Sequence, residues 1–156
     1  MTVTMESKLP PAPARPDYEL QFSPVTRRIR ATFAGITIAD STNVIVLKEP
    51  RYQPVYYFPE QDVRMDLLVA TDHVTHCPFK GNASYWNLVV GDQLQQNVVW
   101  SYQDPYPEAL PIKGYLAFYR DRMDSWYEDE QQAFSHSLHR STGHVNPLTS
   151  WLLWEA

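Results

Sequence analysis

Asp72, His73, His76, Cys77 and Lys80 place five side chains with usable chemistry within nine positions. They lie in the segment DHVTHCPFKGNASYW (72–86), which holds the only cysteine and two of the five histidines. A thiol beside imidazoles that can take its proton is a nucleophile. A lysine fixed between Phe79 and Gly81 can hold an anionic ligand, or act as a base if desolvated. Histidines with a thiol are also zinc ligands. The spacing speaks against the metal. His76 and Cys77 are adjacent, so on a strand they point to opposite faces, and paired Cys-x-x-Cys units cannot be built from one cysteine. His136, His139 and His144 sit in a polar tail. No metal and no cofactor is expected.

Cys77 stands before a proline in an apolar, aromatic stretch, which also suits a buried small hydrophobe. The carboxylates are less suggestive still. Asp62 and Asp66 share a face only if that stretch is helical, Asp121 and Asp124 flank a turn, and Glu128-Asp129-Glu130 reads as a solvated run. General acid–base chemistry needs two carboxyls converging on one pocket, so structural use is expected.

Aromatics supply the other candidate. Tyr56-Tyr57-Phe58, Tyr85-Trp86, Trp100-Ser101-Tyr102 and Trp126-Tyr127 fall at the ends of separate apolar runs. Neighbours on a strand face opposite sides, so one of each pair should line the interior. Gathered at one end of a small β-structure, such rings make a ligand cage, with tyrosine hydroxyls giving polar specificity. The expected function is small-molecule binding in a pocket lined by Tyr57, Tyr85, Trp100 and Tyr102, with Lys80 meeting an acidic or carbonyl group. One alternative is an enzyme using Cys77 or Lys80 with His73 as acid–base partner. Another is a protein-interaction module, carried by the proline-rich start and the apolar terminus SWLLWEA, which would suit a homo-oligomer or a docked partner.

Strands must position these residues. Ile29, Ala31 and Phe33 alternate with Arg28, Arg30 and Thr32, the period of a half-buried strand, and Ala34-Gly35 turns the chain into Ile36 and Ile38. Val44 to Leu47 and Pro54 to Phe58 read as short buried strands. Glu60 to Leu68 fits a helical turn or a strand equally. Ala83–Val90 and Asn97–Tyr102 read as a pair across Gly91-Asp92-Gln93, and Tyr115–Tyr119 and Asp124–Glu128 as a pair across Arg120-Asp121-Arg122. The pattern dissolves after Asp129. Five prolines within the first 24 residues give residues 1–24 the composition of a disordered arm, although Tyr18, Leu20 and Phe22 alternate as if the end of that arm lay on the domain. The expected layout is a proline-rich arm over 1–24, a mainly β domain over 25–130 and a C-terminal extension over 131–156.

The 156 residues suit one domain. A net charge of −5 argues against a nucleic-acid partner. The basic run Arg27-Arg28-Ile29-Arg30 is short and reads as the solvent side of a strand opening. No apolar stretch approaches the ~20 residues that span a bilayer, and the first residues lack the apolar core of a secretory signal. One cysteine excludes an internal disulfide. A soluble, cytoplasmic protein is expected, with no membrane partner.

The blocks RRIRATFAGITIADS, PVYYFPEQDVRMDLL, DHVTHCPFKGNASYW, VVWSYQDP and GYLAFYRDRMDSWYEDE, in this order, resemble the family catalogued as domain of unknown function 427. The resemblance covers about residues 27–130 and is most specific at CPFKG and YYFP. It implies a single compact domain of short antiparallel strands, β-tent-like, related to methionine sulfoxide reductase B and the ligand-binding domain of cereblon. The structural zinc of many β-tents needs two Cys-x-x-Cys pairs that this chain lacks. By position, the resemblance places Tyr57, Asp62, His73, Cys77, Lys80, Tyr85, Trp100 and Tyr102 near a site. The family's short name carries a nucleotidyltransferase label, but the chain has no Gly-Ser followed by an Asp-x-Asp pair and no phosphate-cradling glycine loop.

Overall fold

The computed structural model describes residues 18–135. Within them the chain is mainly β, as the apolar runs predict. Its strands are β1 (Gln21–Pro24), β2 (Ile29–Phe33), β3 (Ile36–Ser41), β4 (Ile45–Lys48), β5 (Val55–Tyr57), β6 (Leu68–Cys77), β7 (Gly81–Val90), β8 (Gln93–Ser101), β9 (Ala117–Phe118), β10 (Ser125–Glu128) and β11 (Gln131–Ser135). They form three antiparallel sheets, ordered β1-β4-β5, β11-β10-β2-β3 and β6-β7-β8-β9.

The β2–β3 hairpin follows its sequence pattern. Ile29, Ala31 and Phe33 are buried, and the two turn residues Ala34 and Gly35 have φ of 52° and 78°, the backbone that a two-residue hairpin turn requires. Ala34 is an unfavourable residue for that conformation; its N–H donates to Asp124 Oδ2 at 2.7 Å, which fixes the turn. The basic run is paired rather than free. Arg28 makes two bonds to Asp40, and Arg27 meets Glu128 at 3.0 Å.

Two cores result. The first gathers Ile29, Ala31, Phe33, Ile38, Phe58, Leu88, Val98, Phe118 and Trp126, and the second Leu47, Val55, Tyr57, Ala83, Tyr85, Trp100, Tyr102 and Ile112. β4 and β5 serve both. Val46 and the half-buried Tyr56 pack on the first core while Leu47, Val55 and Tyr57 enter the second, which is why these strands read as continuous apolar runs rather than alternating ones. β7 also serves both. Successive side chains on a strand point to opposite faces, so Ala83 and Tyr85 face the second core, and Trp86 and Leu88 the first.

Several expectations are corrected. The Tyr115–Tyr119 and Asp124–Glu128 segments do not pair with each other. β9 pairs with β8, whereas β10 pairs with β2 and β11, because the Arg120–Arg122 3₁₀ turn carries the chain from one sheet to another. β11 lies where the pattern dissolves, and β1 lies inside the segment expected to be an arm, paired along β4. Glu60 to Leu67 holds two 3₁₀ turns, Glu60–Asp62 and Met65–Leu67. Among the described residues no helix is long and apolar enough to cross a membrane. The expectations for His136, His139, His144 and SWLLWEA lie outside the described residues, as does most of the proline-rich arm.

Candidate functional site

β6 and β7 form the longest hairpin, and its turn presents Lys80. Cys77 ends β6 opposite Gly81 of β7, leaving Pro78, Phe79 and Lys80 as the loop. The Lys80 N–H donates to the Cys77 carbonyl at 3.3 Å, a β-turn closure with proline at the position that favours it. Gly81 then takes φ +112°, and a Cβ there would lie 3.4 Å from Pro105 Cα and 3.5 Å from Tyr106 N. The glycine lets the 104–106 segment approach, so that the Tyr106 N–H reaches the Lys80 carbonyl at 3.0 Å. Held at both its backbone groups, Lys80 projects inward.

There its ammonium meets Glu49 Oε1 at 2.5 Å, with both side chains only 4% exposed. The acidic group that meets Lys80 is therefore this chain's own. Glu49 follows directly on β4, and its other oxygen accepts a hydrogen bond from the Tyr18 hydroxyl. The Tyr18 ring lies flat on Phe79, with centroids 3.8 Å apart and planes 10° from parallel. Lys80 Nζ also stands 5.7 Å from the Tyr102 ring centre, within cation–π range. Burial pulls the Lys80 ammonium down, but Tyr57, Glu49 and Cys77 outweigh it and leave it above the ordinary lysine value. The side chain is thus a charged donor at neutral pH, not a free base.

Around the pair, tyrosines are held neutral. Burial pushes the Tyr57 phenol up to about 12, against the opposing pull of Lys80. Burial likewise raises Tyr102, reinforced by Tyr57 and Cys77, and raises Tyr18, reinforced by Glu49. Tyr57 OH accepts from Trp100 Nε1 at 3.3 Å. The fully buried Tyr102 hydroxyl has no hydrogen-bond partner among the described residues. Leaving such a group unmade costs roughly 1–3 kcal/mol.

Of the sequence-predicted residues, Tyr57, Tyr85, Trp100 and Tyr102 come together in the second core, with the half-buried Cys77 packed against it and Lys80 beside it. The rings are packed, at most 3% exposed. His73 is not part of this group. It is exposed on β6, its ring 4.5 Å from the Tyr85 ring, and the Tyr85 hydroxyl bonds Thr75 instead. His76 is also exposed, its Nδ1 2.7 Å from Asn82 Oδ1. Asp62 lies elsewhere, accepting from Ser41 Oγ at 2.7 Å and lining a groove of about 270 Å³ with Thr37, Asp40 and Arg64. Asp66 pairs with Arg64. Among the described residues, no three His, Cys, Asp or Glu side chains are grouped to hold a metal ion.

Glu49 and Tyr18 were not among the predicted site residues. Lys48-Glu49-Pro50 reads locally as a strand stop, and the Glu49 partnership spans 31 residues. The available signal was the need itself: a lysine in an apolar setting demands a carboxylate. No curated protein matches the chain. Residues 21–129 match the family described as a domain of unknown function, DUF427, and the nucleotidyltransferase wording in the family's short name is a name only. With that match spanning β1 to the end of β10, the chain belongs to the DUF427 family.

Proposed function

We propose that this domain binds a small molecule at the Lys80–Glu49 pair, on the tyrosine-rich edge of the second core. One observation carries the reading: an ion pair with both side chains 4% exposed stands beside the ring of Tyr102, whose buried hydroxyl lacks a partner among the described residues. As a structural device this is costly. Desolvating two charges consumes most of their attraction, and apolar residues of similar volume are often as stable. As a binding site it is economical, because polar groups with shifted proton affinities inside an aromatic wall are what fixes and orients a ligand. Lys80 acts as a charged hydrogen-bond donor, Glu49 as acceptor, and Tyr57, Tyr85, Trp100 and Tyr102 as the apolar wall.

The test is a ligand-observed NMR screen of a fragment library against the full chain. Hits are then repeated on the double variant Lys80→Met/Glu49→Gln, which removes both charges together and leaves neither stranded. Hits that vanish in the folded double variant support the site. Hits that persist there, or the absence of any hit on the native chain, overturn it.

A further inference from the structure

Building on that reading, we infer that the Tyr18 side chain occupies the site as a stand-in for its ligand, which therefore carries a flat aromatic ring bearing an O–H or N–H donor. Tyr18 makes the contacts such a ligand would make. Its ring stacks on Phe79 at 3.8 Å and 10°, and its hydroxyl donates to Glu49 Oε2. Glu49 Oε1 is engaged by Lys80, so Oε2 is the oxygen that faces an incoming donor.

The two sides of this contact are built differently. Phe79 and Lys80 belong to a closed β-turn and Glu49 follows directly on a paired strand. Tyr18 belongs to no strand and precedes β1 by three positions. Leu20 and Phe22 dock on the second core and keep the phenol close without locking it. Such a tether supplies an effective concentration on the order of millimolar. A free ligand must displace it, and its apparent affinity falls by the fraction of molecules in which the tyrosine has left. Lifting Tyr18 would also uncover the carboxylate, so this one side chain closes the site when no ligand is present.

Protein-observed NMR titrations with 4-methylphenol and with toluene test this on the full chain and on the Tyr18→Ala and Tyr18→Phe variants. Tyr18→Ala is expected to bind 4-methylphenol about tenfold more tightly than the native chain, with shifts centred on Phe79, Lys80 and Glu49. Toluene, which stacks but cannot donate, gains by a similar factor, because the competitor is removed for any occupant, but binds Tyr18→Ala far more weakly than 4-methylphenol does. Tyr18→Phe, keeping the stack and losing the donor, falls between. Equal affinity for 4-methylphenol in native and Tyr18→Ala protein overturns the inference, and so does toluene binding Tyr18→Ala as tightly as 4-methylphenol. If these results fail while fragment hits still depend on Lys80 and Glu49, only the ligand class falls. If no hit depends on that pair, the binding site falls with it.

Discussion

At the residue scale the molecule turns on one buried pair. Lys80 stood out in the sequence because Phe79 and Gly81 leave it little room to reach solvent. Its partner was illegible, since nothing near Glu49 distinguishes it from the exposed Lys48 and Pro50 on either side. The energetics of the pair are testable. Removing one member leaves a buried charge uncompensated, at roughly 3–5 kcal/mol, whereas replacing both is often close to neutral. Lys80→Met is expected to lose stability on that scale in urea unfolding, and adding Glu49→Gln to recover much of it. A double variant no more stable than Lys80→Met would show that the two charges are not coupled. His73 and Asp62 make their contacts away from that pair. Both fall within blocks that resemble the family, yet one packs on the outer side of Tyr85 and the other bonds Ser41 across a different groove.

At the element scale the decisive unit is the β6–β7 hairpin turn. Cys-Pro-Phe-Lys-Gly is legible as a bend, and its Pro and Gly occupy the positions where those residues cost least. The sequence does not reveal that Gly81 lies against the 104–106 backbone. Gly81→Ala would place a methyl 3.4 Å from Pro105 Cα at φ +112°, a region close to glycine-only. A loss of about 1–3 kcal/mol is expected in chemical denaturation, together with weaker binding of any ligand that depends on Lys80. A loss under about 0.5 kcal/mol would show that the turn tolerates a side chain. Pairing errors in the sequence reading have one cause. Adjacent runs usually pair, which favours joining 115–119 to 124–128, but β10 finds β2 across 93 residues, as the Thr32–Ser125 bond records. Bulges are equally hidden: where the β7–β8 register shifts, Gln96, Asn97 and Val98 of β8 stand against Asn87 alone.

At the scale of the whole molecule, the clustered phenols predict an alkaline weakness. Tyr57 ionises near 10.0 when unfolded but at about 12 in the fold. The unfolded chain therefore releases its proton first, so stability is full below about pH 10 and drains as pH rises toward 12. Tyr18, Tyr102 and Lys80 are also raised and act in the same direction. The urea midpoint should fall between about pH 9 and pH 11, and fall less in Tyr57→Phe. A midpoint unchanged over that range would mean that these groups ionise as easily in the fold as outside it. The β class, the β2–β3 hairpin, the buried runs at β4 and β5 and the bend that carries Lys80 were all determined by the sequence alone, because each is a local matter of period, side-chain shape and backbone preference. Which strands share a sheet, that β4 and β5 serve two cores, and that Glu49 and Tyr18 close over Lys80 were decided only in the tertiary structure. Those are contacts between distant segments, chosen by which buried surfaces and charges satisfy one another, and no short window of residues contains both sides.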